Sequence, residues 1–398
     1  MNQALSIGIH DICFATTHYA IDLTVLADHH GVDPGKYQIG LGQDTMSVPA
    51  SNEDIVTMAA AAASPILDRH GTDNLRTVLL ATETGVDQAK AAGLYLHPLL
   101  DLPTTCRIVE LKQACYSSTA ALQLAAALVN QNSTEQVLVI ATDIARYDLD
   151  TPAEPTQGAA AVAMLIAADP AILRLDSMSG LFSADVMDFW RPNYRTTAIV
   201  AGKLSIDAYL MATSNAWADY RHRGGRDPEE IAAFCYHLPF SAMARKAHRH
   251  LLASCGIGWD AKRIDAAVRD STIYNRLIGN SYTASLYVGF ASLLDSGKDL
   301  TDQAIAFLSY GSGCVSESFS GLIQPGYRTH LRTTTHHDVL AVRELISYND
   351  YRELHTAYDS AVGTRHSPPG INGQYRFEST VDNVRIYRGA RTKKSACT

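Results

Sequence analysis

The chain is short of several things, and each shortage narrows what it can be. No apolar run reaches the ~20 residues that cross a bilayer. The opening "MNQALSIGIHDI" has no basic stretch leading into a long apolar one. Both point to the cytoplasm and away from a membrane partner. The seven cysteines, Cys13, Cys106, Cys115, Cys235, Cys255, Cys314 and Cys397, are odd in number and scattered, with no CxxC pair and no zinc-type Cys/His spacing. Reduced thiols are expected, and no metal. The run His336-His337-Asp338 lacks a second ligand pair at useful spacing, which sets a zinc hydrolase aside. Positive charge is also scarce: 33 Lys and Arg against 41 Asp and Glu leave a formal charge of -8. General nucleic-acid binding needs clustered cations to displace counterions, so it is not expected. Any phosphate-bearing ligand must meet a local basic patch.

What is present is a 398-residue chain, 46% hydrophobic, enough for two or three domains around a sizeable core. Apolar runs that read as buried strands alternate with helical patterns: "TVLLATETG", "CRIVEL", a helix over "STAALQLAAALVNQ", then "QVLVIATDIA" and "AAAVAMLIAA". That alternation marks an α/β chain with largely buried sheets. The second half repeats it, since "TASLYVGFASLLDSG" from Thr283 lies over "TAALQLAAALVNQN" from Thr119, each followed by a strand-like run. A duplicated fold follows, with halves at 1–166 and 167–398. The overlay sets Asn280 opposite Tyr116, so two equivalent helix entrances can face one site. Between the halves, residues 169–197 read as a crossover of ordered loops. Near the end, Pro368-Pro369-Gly370 and Asn372-Gly373 mark turns, "VRIY" a strand, and the last residues a frayed tail.

Cys115 follows a strand and precedes an alanine-rich helix. A cysteine is more often a packing residue, but a helix entrance favours an anion and is expected to lower the thiol pKa. His237 stands just ahead of Pro239, which can open a helix as its first-turn proline. A packing histidine is the plain alternative; a loop histidine that donates to a carbonyl is the functional one. The helix behind it carries Arg245, Lys246, His248, Arg249 and His250, the densest basic cluster in the chain and a natural place for phosphate. Glu83 closes a strand run. It is either a solvated turn residue or a base whose pKa burial raises. Asn280, Asp143 and Asp188 are polar residues beside apolar runs.

The ordered motifs "ATETG", "KQACYSST", "ATDIARY", "EPTQGAAAVAML", "MDFWRP", "AGKLS", "YHLPFS", "GNSYTASLY" and "LSYGSG" resemble the 3-hydroxy-3-methylglutaryl-CoA synthase family, bacterial branch, over about residues 5 to 325. The resemblance implies a thiolase-like fold, two duplicated halves in five alternating α and β layers. It implies condensation of acetyl-CoA with acetoacetyl-CoA and water to HMG-CoA and CoA, in the mevalonate route to isoprenoids, by a homodimer that needs no cofactor. By motif, Cys115 would carry the acetyl group, Glu83 would take a proton from its methyl, and His237 with Asn280 would hold the acetoacetyl ketone. Asp143 and Asp188 would tune the site. Thr156, Ser205, Asn280, Ser312 and Lys246 would line the acyl-CoA tunnel, Lys246 as the phosphate contact. Relatives often carry a lysine where Ala242 stands; either CoA binds more weakly here or Arg245 takes its place. Two rival readings remain: a condensing enzyme of the same fold that works on carrier-protein-bound chains, and a non-catalytic CoA binder. The second has no need of Glu83, Cys115 and His237 together.

Overall fold

A computed structural model of the chain describes residues 5–359, 365–366 and 370–389. The first repeat runs β1 (Ile7–Thr16), α1 (Ile55–His70), β2 (Leu75–Ala81), β3 (Arg107–Leu111), α2 (Ser117–Gln131), β4 (Gln136–Ala145) and β5 (Gly158–Ala168). The second runs β6 (Leu173–Ser183), α3 (Gly202–His222), β7 (Ala233–Tyr236), α4 (Met243–Ser254), α5 (Ser285–Leu294), β8 (Ala304–Gly311) and β9 (Val315–Ile323). Strand order is β1-β5-β4-β2-β3 in one repeat and β6-β9-β8-β7 in the other. The directions match as well: two antiparallel pairings, then parallel ones. A short antiparallel contact, Gly8 opposite Arg174 and Ile9 opposite Leu173, joins them into one nine-stranded sheet.

Strand periodicity builds the layers. Along β5, Ala160, Val162, Met164 and Ile166 face one core while Ala159, Ala161, Ala163 and Leu165 face another. The first set meets the buried helices α2 and α5, through Ala121, Leu122, Ala125, Leu286 and Phe290. The second set meets α1, through Val56, Ala59, Ala60 and Ala63. Small side chains on both faces let helices approach the sheet closely. On the far side, β8 turns Ile305 and Phe307 to the central helices and Ala306 and Leu308 to α3 and α4. The result is helix, sheet, helix, sheet, helix: the five alternating layers that the family resemblance implied. Asp54 caps α1 at Val56 and Thr57, a contact worth about 1 kcal/mol.

Some local expectations needed correction. Residues 169–197 are not only loops, because they contain β6, the strand that bridges the two sheets. Its Asp, Ser and Gly residues interrupt the apolar pattern, since much of its outer surface is exposed. The chain passes between the repeats at residues 169–172. The described residues from 344 onward return to the first repeat: Glu344 pairs with Tyr19, Tyr375 enters the α1 core, and Arg385 Nη2 lies 2.9 Å from Asp54 Oδ2. The "VRIY" strand is present within Val384–Gly389. Pro368-Pro369 and residues 390–398 lie outside the described residues.

Candidate active site

Between β3 and α2 the chain makes a tight elbow. Ala114 adopts φ +43°, Tyr116 N–H donates to Gln113 O at 3.2 Å, and α2 begins at Ser117. Gly311, at the end of β8, leaves room for it. A Cβ there would lie 2.6 Å from Gln113 O and 2.7 Å from the Tyr116 backbone. The elbow presents Cys115, which is buried, with Sγ donating to Glu83 Oε1 at 3.0 Å. The expected lowering of its pKa is reversed: burial first, then the Glu83 charge, hold the thiol well above its usual range. A helix end is worth only about 0.3–1 kcal/mol to an anion, and desolvation outweighs it. The resting nucleophile is therefore a thiol hydrogen-bonded to the Glu83 carboxyl group.

Glu83 sits two residues beyond β2. Burial, and then the neighbouring Asp143 charge, raise its pKa to about 8, against the pull of Cys115 and Arg191. Asp143, fully buried on β4, fixes the loop. Its Oδ1 accepts from Thr82 Oγ1, Glu83 N, Thr84 N and Thr84 Oγ1 at 2.6–3.0 Å, and its Oδ2 from Thr283 N and Oγ1. One carboxylate thus ties the base loop of the first repeat to the entrance of α5 in the second.

His237 immediately follows β7. Its N–H donates to Leu308 O at 3.0 Å, its carbonyl accepts Tyr209 OH at 2.9 Å, and Nδ1 lies 2.8 Å from Ser285 Oγ. Burial lowers its pKa to about 3, so the ring is neutral. Pro239 does not open the next helix, which starts only at Met243 after a turn through Ser241 and Ala242. Asn280 is held from both sides: its N–H donates to Thr156 O at 3.1 Å and its Oδ1 accepts Tyr282 N at 2.8 Å. Gly279 before it has φ +86°, and a Cβ there would meet Gln157 O at 1.9 Å. Buried Asp188 accepts from Gly313 N, Tyr310 OH and Ser205 Oγ at 2.9, 2.7 and 3.3 Å.

These elements enclose a cavity of about 680 Å3 whose walls include Cys115, Thr156, Ser205, His237, Asn280 and Ser312. Glu83, Asp143 and Asp188 stand behind that wall. Sequence reasoning overlooked Tyr147, Phe189, Tyr209 and Tyr282, which form much of the apolar lining. Tyr147, Phe189 and Tyr282 meet edge to face, with ring centroids 5.6–6.4 Å apart. The signal was at hand, because Tyr147 follows Asp143 within "ATDIARY" and Phe189 follows Asp188. Arg195 also lines the cavity, bonded to Asp148 at 2.7 Å.

The basic cluster is placed less favourably. Arg245 and Lys246 are exposed on α4 and neither lines the cavity. Arg245 is paired with Asp265. Lys246 lies one turn beyond Met243, a wall residue, and has no ion-pair partner among the described residues. Ala242 is docked through its N–H on Leu41 O at 2.9 Å. His30, Asp150 and Glu154 bring ligand atoms within 4.8 Å of one another. Protein partners already engage them: Tyr37 OH on His30, Arg352 on Asp150, and Tyr351 OH on Glu154.

A duplicated five-layer fold whose buried thiol, carboxyl and neutral imidazole gather around one apolar cavity defines an enzyme of the thiolase-like class. The chain matches the family models for the hydroxymethylglutaryl-coenzyme A synthase N terminal over residues 3–171 and C terminal over residues 256–367. It is 41% identical to the hydroxymethylglutaryl-CoA synthase of Enterococcus faecalis, across 88% of this chain and 91% of that one. It is 31% identical to the polyketide biosynthesis 3-hydroxy-3-methylglutaryl-ACP synthase of Bacillus subtilis, across 94% of each. A solved structure of MvaS in complex with 3-hydroxy-3-methylglutaryl coenzyme A superposes with a TM-score of 0.90 at 35% identity, covering 97% of this chain and 100% of that one. The chain belongs to the hydroxymethylglutaryl-CoA synthase family.

Proposed function

We propose a mechanism for this chain as a hydroxymethylglutaryl-CoA synthase of the mevalonate route, acting on free CoA thioesters. The enzyme condenses acetyl-CoA with acetoacetyl-CoA and water to give 3-hydroxy-3-methylglutaryl-CoA and CoA. Cys115 Sγ attacks the acetyl carbonyl, the carbon–sulfur bond to CoA breaks, and CoA leaves as a thiol, taking up the proton that Cys115 gives up. The ionised form of Glu83 then removes a proton from the methyl of acetyl-Cys115. The thioester acidifies that methyl and spreads the charge onto its oxygen. The resulting carbon attacks the ketone of acetoacetyl-CoA while His237, assisted by Asn280, donates to the ketone oxygen. That oxygen ends as the tertiary hydroxyl, and the proton that Glu83 took from the methyl replaces the one that His237 gave to it, so that Glu83 and His237 both return to their starting states. Water then cleaves the Cys115 thioester, releasing the new carboxylate and restoring the thiol.

The observation that carries this reading is the Cys115–Glu83 hydrogen bond of 3.0 Å behind a cavity that His237 also faces. An acyl carrier needs a nucleophile, and carbanion formation without decarboxylation needs a base touching the acylated atom. Thr156, Ser205, Asn280 and Ser312 line the acyl and pantetheine path in this reading. The ammonium of Lys246, one turn from the cavity wall and without an ion-pair partner among the described residues, supports its assignment to phosphate. A homodimer is part of the proposal. Its support is the edge strand β3, which among the described residues hydrogen-bonds on one side only and leaves Val109 exposed, while Leu124 of α2 is exposed as well. A cytoplasmic site suits a mechanism that depends on a reduced thiol.

The test is acetyl-CoA-dependent loss of acetoacetyl-CoA enolate absorbance by the purified protein, beside Cys115→Ala, with the product identified by mass spectrometry. Turnover with carrier-bound acetyl groups and none with acetyl-CoA would replace the free-CoA reading with the carrier-protein one.

A further inference from the structure

A neutral imidazole holds one proton, and the nitrogen that holds it decides whether the ring offers the cavity a donor or an acceptor. We propose that Ser285 is a positioning residue that keeps this proton on Nε2, so that His237 meets the acetoacetyl ketone as a hydrogen-bond donor. The inference rests on the reading of His237 given above and adds the device that makes it work.

Ser285 opens α5 and is fully buried. Its Oγ lies 2.8 Å from His237 Nδ1 and accepts the Leu238 N–H at 3.2 Å. Among the described residues no other acceptor is within hydrogen-bond reach of that hydroxyl. A proton on Nδ1 would aim two N–H groups at Oγ and leave the hydroxyl proton of a fully buried serine without an acceptor among the described residues. Buried donors are rarely left so, because the penalty is large. The opposite arrangement satisfies every group: Leu238 N–H gives to Oγ, Oγ–H gives to Nδ1, and Nε2–H is left for the cavity. Neutrality of the ring, enforced by burial, removes the case in which both nitrogens are donors. The bonds from His237 N to Leu308 and from Tyr209 to His237 O hold the backbone, so the ring turns only about its own side-chain bonds.

The internal repeat singles this residue out. The offset that lays Thr283 on Thr119 lays Ser285 on Ala121, a fully buried alanine of the central core. In the first repeat the position only packs. In the second it carries a hydroxyl aimed at the histidine.

Nitrogen NMR of isotope-labelled histidine in the full-length protein reads the tautomer directly. The expected result is a protonated Nε2 and an unprotonated, hydrogen-bonded Nδ1 on His237 in the wild type, identified by its loss in His237→Ala. Ser285→Ala should lose that single-tautomer signature and raise the KM for acetoacetyl-CoA about tenfold, the size of one lost hydrogen bond of this kind. Acetylation of Cys115 by acetyl-CoA should stay close to wild type. Ser285→Thr, which keeps the hydroxyl, should restore both. A proton on Nδ1 in the wild type overturns the inference whatever the variants do, and so does Ser285→Ala with its tautomer and KM unchanged. His237→Ala separates the two levels: a raised KM there alongside a silent Ser285→Ala would leave the role of His237 standing and remove that of Ser285.

Discussion

Replacing Glu83 separates the two chemical stages that its position serves. Glu83→Gln keeps the shape and removes the base, while Glu83→Ala also empties the contact to Cys115 Sγ. A positioned general base contributes roughly 10²–10⁴-fold, so condensation from pre-formed acetyl-enzyme should fall by about that factor. Acetylation should survive, because the carboxylate charge is one of the causes that hold the Cys115 thiol up, and its removal favours the thiolate. In the wild type, a pKa of about 8 leaves roughly a tenth of Glu83 ionised at pH 7 and about nine-tenths at pH 9. The condensation rate should therefore climb about tenfold across that span and then level off. Stability gives an independent reading of the same group. Its folded pKa stands above the ordinary value of 4.5, so its contribution is fully present below about 4.5 and is lost as pH rises through about 8. Glu83→Gln should be the more thermostable protein above pH 8, by a few kcal/mol. The assays are rapid-quench labelling with radiolabelled acetyl-CoA, single-turnover condensation with acetoacetyl-CoA, and thermal melts at several pH values. Loss of acetylation alone, with condensation from acetyl-enzyme intact, would refute the assignment, as would a condensation profile already flat above pH 5.

Cys115→Ala should abolish covalent acetyl label on the denatured protein, since no other thiol occupies the elbow. Asp143→Asn should move the midpoint of the condensation pH profile to lower pH, because the Asp143 charge is among the causes that raise the Glu83 pKa. Asp143→Ala should additionally melt earlier, losing about 3–5 kcal/mol with the contacts that join residues 82–84 to Thr283. His237→Ala should leave acetylation nearly intact and raise the KM for acetoacetyl-CoA, measured by steady-state kinetics at fixed acetyl-CoA. Gly279→Ala should destabilise by about 3 kcal/mol or more and impair condensation. The added Cβ meets Gln157 O and disturbs the backbone that holds Asn280, an effect that chemical denaturation would measure.

The sequence by itself determined the alternation of strands and helices, the duplication, and the candidates for nucleophile and base. The reason is that these are local patterns. "QVLVIATDIA" is strand from its first residue to its last, because a strand buried on both faces is a continuous apolar run. The family motifs likewise preserved Cys115, Glu83, His237 and Asn280 in readable form. Tertiary structure alone decided how those groups behave. A helix entrance predicts a thiolate only where solvent is near, and the central layer of this fold encloses Cys115 beside a carboxylate, so desolvation sets the thiol pKa. Asp143 looked like one more polar residue beside an apolar run. Pairing of β2 with β4 brings the 82–84 loop to one of its oxygens, and only the stacking of the repeats brings Thr283 to the other. The strand Leu173–Ser183 was illegible because its pairing partners, β1 and β9, lie far away in sequence and its own residues mix polar with apolar and are partly exposed. Burial and long-range pairing are properties of the packed chain, and a local pattern carries neither.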